Sequence, residues 1–221
     1  MPIAYDPAGP VLTPRIAAEL IAHEGIVPEA YRDSVGVWTW SVGLTDACGH
    51  RVGRYRDQPQ PLGRCLEVFL WVLQNRYLPA VLAAFGPVPP EEHELAAALS
   101  FHWNTGAIAE AEWMRLVRDG DRKAARKAML NWCRPASLAL RRRREQALFF
   151  DGRWSGDGTA LVYAVAKPSY RPVRGRRMPV LETLERLLPG AAAGAVQSAP
   201  APAGEAPKQA KANWFTRLFA C

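Results

Sequence analysis

The sequence predicts an α+β fold, and two kinds of pattern lead to that prediction. Apolar residues recur at helical spacing in residues 13–24 and again in residues 64–85. Between these segments, residues 37–42 alternate in the manner of a β-strand after a Gly-containing turn. Helical patterns return after residue 91. We therefore expect a small sheet near the N-terminal end and a larger helical part after it.

The first predicted helix ends at an acidic residue. Thr13 and Pro14 are residue types typical of an N-cap and a first helical position, and Gly25 is a natural helix stop. Glu24 then lies at the helix C-terminus, on the same side as the apolar Leu20. The helix C-terminus and the apolar side of the helix both disfavour a carboxylate. We therefore expect the pKa of Glu24 to be raised, as a general acid near neutral pH requires. From this stretch alone, an ordinary exposed glutamate at a helix end is an equal alternative.

A second carboxyl group and a hydroxyl group follow closely. Asp33 precedes the turn at residues 34–36, and Thr39 lies in the predicted strand over residues 37–42. A plain β-hairpin with a turn aspartate is the alternative interpretation. Together with Glu24, however, these groups supply an acid that can protonate a leaving oxygen and a carboxylate that can activate water. An inverting glycoside hydrolase needs that set.

Several segments of the sequence carry a family resemblance. Residues 24–43 follow E-G-x(5)-Y-R-D-x(2)-G-x(2)-T-x-x-x-G, which resembles the catalytic motif of the phage-type lysozymes, the endolysins of glycoside hydrolase family 24. Residues 100–106, SFHWNTG, resemble the family's S-F-x-F-N-x-G segment. Trp132, the run at 141–145 and the GRW at 152–154 resemble its W…RRRxE…L…GxW ending.

The resemblance covers roughly residues 13–154 and implies both a fold and an activity. The implied fold is lysozyme-like, with a small β-sheet lobe, a larger helical lobe and a cleft between them. The implied activity is that of an N-acetylmuramidase, which cleaves the β-1,4 bond between N-acetylmuramic acid and N-acetylglucosamine in peptidoglycan. Glu24 would protonate the glycosidic oxygen, and Asp33 and Thr39 would hold and activate the water. No cofactor is implied.

The resemblance also suggests supporting residues. Trp103 and Asn104 fall where the family's cleft passes between the lobes, so we expect them to bind sugar, although Trp103 could instead belong to the core. Arg141 is the best candidate to pair with Glu24 and orient it. One departure is plain, because Leu44 stands where the family usually has a histidine. That histidine is a structural partner of a carboxylate between the lobes, so its loss affects the lobe contact more than the chemistry.

Charge leaves two rival functions open. The net charge of +7 predicts attraction to anionic polymers, which include peptidoglycan, teichoic acid, lipopolysaccharide and nucleic acid. The arginine run at 141–144 is either an ordinary solvated helix face or a nucleic-acid patch, but no recognition fold surrounds it. We therefore expect no specific nucleic-acid partner. A wall-binding module without activity is the second rival, and the departure at Leu44 is what suggests it.

A metal site is not expected. His23 and Glu24 begin like the zinc motif H-E-x-x-H, but residue 27 is Val, so the second ligand is missing. The cysteines have no paired spacing, and we expect free thiols; they are Cys48, Cys65, Cys133 and Cys221.

The resemblance and the composition together divide the chain into five segments. They are an N-terminal arm (1–12), the lysozyme-like catalytic domain (13–158), a C-terminal extension (159–189), a disordered linker rich in Ala, Pro, Gly and Lys (190–212) and an apolar tip (213–221). Within the extension, we expect a short strand over 161–165 and an amphipathic helix over 180–188. The tip could contact a membrane or a virion protein through four apolar residues: Trp214, Phe215, Leu218 and Phe219.

The N-terminal residues do not resemble a signal peptide, and no uninterrupted apolar run has the length, about 18 residues, of a spanning helix. We expect a monomer that is made in the bacterial cytoplasm. It would act on the cell wall, in the periplasm, after a holin or another membrane lesion releases it.

Overall fold

The structure of the protein, a computed structural model, describes residues 12–188. Of the predicted arm, only Leu12 falls within this range, and its side chain is buried in the core. The predictions for the linker and for the apolar tip lie outside the described residues.

The first helix and the strands after it agree with the sequence-based predictions. Helix α1 spans Pro14–Glu24; the Thr13 hydroxyl accepts a hydrogen bond from the Ile16 amide, and Gly25 ends the helix with φ 71°. Strands β1 (Val27–Arg32) and β2 (Trp38–Ser41) pair antiparallel as a hairpin. Two short 3-10 turns follow, at Asp46–Cys48 and Val52–Tyr55.

The next helical segment is continuous but irregular. Helix α2 (Leu62–Val72) passes through a π-helical turn at Leu73–Tyr77 into helix α3 (Leu78–Phe85). Pro79, in the first turn of α3, has no amide hydrogen to give to the preceding turn. The π turn therefore lies directly before the proline. Its wider hydrogen-bonding pattern accommodates the absence of an amide hydrogen on Pro79.

The joined helix Leu62–Phe85 is 24 residues long and apolar enough to cross a membrane by length and composition. The expectation that the chain has no such segment was therefore too strict, because it considered only uninterrupted apolar runs. Half of its most apolar window is buried inside the protein. Leu66, Phe69 and Leu73 on this helix belong to the hydrophobic core, as expected of a core helix.

The larger part of the molecule is helical. Its helices are α4 (Glu92–Thr105), α5 (Glu112–Arg118), α6 (Arg122–Met129) and α7 (Ala139–Asp151). Helix α4 is central, because every residue from Leu95 to Asn104 is buried. Edge-to-face aromatic contacts hold the surrounding helices, with Trp113 packing 5.1 Å from Phe101 and 5.2 Å from Phe149 between ring centroids.

The C-terminal extension packs onto the body of the protein. Strands β3 (Thr159–Ala166) and β4 (Arg171–Pro179) form a hairpin, and helix α8 (Leu181–Leu187) follows. The sequence did not indicate β4, because its arginine-rich composition has no apolar alternation. Ile26 donates its amide to the Leu161 carbonyl at 2.8 Å and accepts from the Tyr163 amide at 2.9 Å. The hairpin is thereby attached directly beside the end of α1.

Gly25 is the residue at which this attachment is tightest. Its backbone angles, φ 71° and ψ 177°, belong to a region that is essentially restricted to glycine. A Cβ at this position would lie 2.8 Å from the Tyr163 ring and 3.1 Å from the Leu161 carbonyl oxygen. Gly25 therefore ends α1 and also leaves the space into which the Tyr163 ring of the extension packs.

We expect Gly25→Ala to lower the free energy of unfolding by about 1–3 kcal/mol, because it adds backbone strain and displaces the Tyr163 ring. Gly63→Ala is the matched control, since Gly63 lies within α2 and has open space around it. That substitution should be neutral or slightly stabilising. Chemical denaturation of both variants makes the measurement, and equal stabilities would contradict the packing described here.

Candidate active site

Glu24 lies at the end of α1 and is almost completely buried, with 3% of the residue exposed. Its Oε1 accepts a hydrogen bond from Nη1 of Arg141 at 2.5 Å. Its Oε2 is also buried and has no hydrogen-bond partner among the residues that the structure describes. One carboxyl oxygen is therefore fixed by a cation, and the other is left without a protein partner.

The surroundings of Glu24 raise its pKa to about 8. Burial is the largest cause, because it removes the carboxylate from water. The guanidinium of Arg141 acts in the opposite direction, and the nearby carboxylate of Glu145 adds to the increase. The direction matches the expectation from the sequence, and burial outweighs the ion pair. At neutral pH, Glu24 therefore holds a proton.

The predicted contact between Arg141 and Glu24 is present, and it belongs to a wider buried network. Arg141 also donates from Nε to Oε1 of Glu145 at 2.9 Å and from Nη2 to the Ser100 carbonyl at 3.0 Å. The network joins α1, α4 and α7. It thereby connects the end of the first helix to the centre of the helical part.

Asp33 lies in the turn between β1 and β2. Its Oδ1 accepts hydrogen bonds from the amides of Val35 at 3.0 Å and Val37 at 2.7 Å. Its own amide donates to the Val37 carbonyl at 3.0 Å, which closes the turn. The carboxyl orientation is therefore set by the backbone, as is common for aspartates in turns.

Thr39 and Tyr31 form a cross-strand pair on the hairpin. Thr39 is buried, and its hydroxyl donates to the Val37 carbonyl at 3.2 Å. The Tyr31 phenol is buried too, and burial, together with the neighbouring carboxyl groups of Glu24 and Asp33, raises its pKa. Tyr31 thus lies near both carboxyl groups and beside Thr39. It links the three predicted catalytic residues: it interacts electrostatically with Glu24 and Asp33 and pairs with Thr39 across the hairpin.

Trp103 and Asn104 are buried in this structure, as Glu24 and Thr39 are, and their expected role in binding sugar stays a prediction. Trp103 is 5% exposed, and its ring packs 4.5 Å from Tyr77 and 5.1 Å from Phe69 between centroids. Asn104 is also buried, and its Oδ1 accepts from Nη2 of Arg142 at 2.6 Å. Both residues support the interior, because α4 is enclosed by its neighbours.

The departure at Leu44 has a structural explanation. Leu44 is fully buried in the core, and its amide and carbonyl exchange two hydrogen bonds of 2.8 Å with Trp40. An apolar side chain therefore suits this position. Among residues 12–188, no group of three or more metal-ligating side chains is close enough to hold an ion. Three cysteines in the same range are free thiols: Cys48, Cys65 and Cys133.

Two residues of the site were not singled out from the sequence. Tyr31 precedes Asp33 by two positions, so strand alternation could have placed both on one face. Glu145 follows Arg141 by four positions, which is the spacing of a helical ion pair, and this signal was available in the arginine run. What the spacing could not reveal is that Glu145 is fully buried.

Comparisons with known proteins identify a family and similar folds. The family model described as Phage lysozyme matches residues 21–147. The fold is similar to that of the endolysin from Escherichia coli O157:H7 phage FAHEc1, with a TM-score of 0.57, 21% identity and coverage of 66% of this chain and 97% of that chain. It is also similar to a P22 lysozyme mutant, with a TM-score of 0.50, 27% identity and coverage of 61% and 94%. A comparison with curated proteins found no match.

The family model spans more than half of the chain, and the chain therefore belongs to the phage lysozyme family. It is a glycoside hydrolase of the lysozyme type, and its substrate is peptidoglycan. The predicted α+β fold is confirmed. The hairpin and the helix of the extension lie beyond the matched residues.

The raised pKa of Glu24 should make stability depend on pH. An exposed glutamate in the unfolded chain ionises near its ordinary pKa of 4.5, whereas the folded protein keeps the proton up to about 8. Stability should therefore fall as pH rises through this window, by at most about 1.4 kcal/mol per pH unit. Glu24→Gln has no proton to lose, so its stability relative to the wild type should increase with pH. Denaturation curves at several pH values test this, and a constant difference would contradict it.

Proposed function

We propose that this lysozyme is an N-acetylmuramidase that hydrolyses the β-1,4 bond between N-acetylmuramic acid and N-acetylglucosamine with inversion. The observation that carries the proposal is the state of Glu24. It is a buried carboxyl group, protonated at neutral pH, with one oxygen bound to Arg141 and the other without a protein partner in the described range. A general acid needs these properties.

The contacts of Glu24 assign its proton to one oxygen. Oε1 accepts from the Arg141 guanidinium, which has only donors, so the acidic hydrogen belongs on Oε2. Oε2 can then donate to the glycosidic oxygen as the bond to the anomeric carbon breaks. Arg141 holds the side chain in the orientation from which it donates, and it stabilises the carboxylate that remains after the transfer.

Asp33 and Thr39 would hold and activate the attacking water. The backbone amides that bind Oδ1 of Asp33 hold its carboxylate in one orientation. The Thr39 hydroxyl gives its hydrogen to the Val37 carbonyl, so its oxygen can accept a hydrogen bond from water. Water would attack the anomeric carbon opposite the leaving group while Asp33 takes its proton. The anomeric configuration is inverted in such a single displacement.

Access to the site requires movement. The Glu24 side chain has no exposed surface, and Thr39 is 1% exposed. A glycan can therefore reach Oε2 only after residues around the site move apart, and we infer that the β1–β2 hairpin is the part that moves. Closure over the bound sugar would then exclude water from the acid and restore the low-dielectric surroundings that keep it protonated.

The biological setting follows from the family and stays part of the proposal. The enzyme would act on the cell wall after release through a holin or another membrane lesion, as a monomer. The apolar tip would assist delivery to a membrane or virion surface and would take no part in bond cleavage.

We expect Glu24→Gln to lower kcat on purified peptidoglycan by at least about a thousandfold, because the amide keeps the size of the side chain and cannot protonate the leaving oxygen. Glu110→Gln, at an exposed position, is the matched control and should be unaffected. Muropeptide release followed by mass spectrometry makes the measurement. Near wild-type turnover by Glu24→Gln would rule out this residue as the acid.

We also expect the first product formed to have the inverted anomeric configuration. Proton NMR during early turnover reads the anomer before mutarotation equilibrates it. A retained anomer would require a covalent glycosyl intermediate, and the water-activating roles of Asp33 and Thr39 would then be wrong. Mass spectrometry of the new reducing ends should find N-acetylmuramic acid. A different reducing sugar would contradict the bond specificity.

A further inference from the structure

A second buried carboxylate lies one helical turn from Arg141. Glu145, on α7, is fully buried. Its Oε1 accepts from Oγ of Ser100 at 2.6 Å and from Nε of Arg141 at 2.9 Å, and its Oε2 accepts from Nη1 of Arg142. All these partners are hydrogen-bond donors, so the contacts favour the ionised carboxylate. Nothing in the catalytic scheme above uses this residue.

Arg141 is therefore shared between two carboxyl groups. Its Nη1 contacts Glu24 and its Nε contacts Glu145, while Nη2 donates to the carbonyl and the hydroxyl of Ser100. The guanidinium carries one positive charge. Because Glu145 neutralises part of that charge, less of it remains to stabilise an ionised Glu24.

Glu145 does not depend on Arg141 alone. Arg142 donates to it from the other side and also binds Oδ1 of Asn104 at 2.6 Å, which fixes the second guanidinium on α4. The pKa of Glu145 is lowered by both arginines, against the effect of burial. The charged and titratable groups near this pair come from several elements: His23 on α1, Tyr31 on β1, Tyr77 in the π turn, and Arg141 and Arg142 on α7.

We propose that Glu145 is a positioning residue for the reaction, which orients Arg141 and opposes its charge so that Glu24 keeps its proton at neutral pH. This inference rests on the proposed role of Glu24 as the acid. Together with burial, Glu145 helps a glutamate that is bound to an arginine to serve as a proton donor. Arg141 alone would orient the carboxyl group and would also lower its pKa, whereas the negative charge of Glu145 reduces the second effect and leaves the first in place.

The test is the pH dependence of kcat/KM for Glu145→Gln on soluble peptidoglycan fragments. A general acid is active below its pKa, so its ionisation appears as the alkaline limb of the profile. Without the negative charge of Glu145, Arg141 should stabilise the Glu24 carboxylate more strongly and lower its pKa. We expect the alkaline limb to move to lower pH by about one unit or more. Glu145→Asp keeps the charge and should leave the limb near its wild-type position.

Asp151→Asn is the matched control. Asp151 lies on the same helix and pairs with Arg126, away from the site, so its loss also removes an ion pair from α7. The alkaline limb of the Asp151→Asn profile should coincide with that of the wild type. If Glu145→Gln instead reduces activity equally at every pH, Glu145 is only structural and the proposal fails.

Carbon-13 NMR of the side-chain carboxyl groups keeps the proposal testable even if Glu145→Gln does not fold. In the wild type, Glu145 should stay ionised across the neutral range in which Glu24 titrates, and a protonated Glu145 would overturn the proposal. If the folded variant has a lowered Glu24 pKa but an unchanged alkaline limb of kcat/KM, Glu145 does control the Glu24 pKa, but Glu24 is not the acid. An unchanged Glu24 pKa would show that Glu145 has no such effect, and the proposal would fail.

Discussion

The site depends on one interaction, the buried hydrogen-bonded contact between Glu24 and Arg141. A carboxyl group without exposed surface is costly to ionise, and a guanidinium at 2.5 Å is the strongest available compensation. Burial exceeds that compensation here, so the acid stays protonated while its position is fixed. The contact also joins the last residue of α1 to α7. The small hairpin begins three residues after Glu24.

The C-terminal hairpin adds a second constraint at the same place. Its strand β3 exchanges two hydrogen bonds with Ile26, and the Tyr163 ring rests on Gly25. The residues immediately after the acid are therefore held by an element that lies beyond the matched family region. Loss of backbone freedom beside Glu24 should favour a single orientation of its carboxyl group, because pre-organised catalytic groups need no rearrangement during the reaction.

Local signals in the sequence predicted α1 and the hairpin well. The ends of α1 depend only on neighbouring residues, namely Thr13, Pro14 and Gly25. The turn that Asp33 closes also depends only on residues close in sequence. Contacts between distant segments were harder to predict. The pairing of Arg141 with Glu24 was found only through a family resemblance. Whether Trp103 is buried stayed open, because a sequence does not show which face of α4 its neighbours enclose. Strand β4 was missed because its pairing with β3, and not its own composition, makes it a strand.

The protonation of Glu24 is the central claim, and infrared difference spectroscopy tests it most directly. The spectrum of the wild type minus that of Glu24→Gln, recorded at neutral pH, isolates the carboxyl group in question. We expect a band of a protonated carboxylic acid that disappears only as the pH rises past about 8. A carboxylate band at neutral pH, without any acid band, would show that Arg141 ionises Glu24 and would contradict the account.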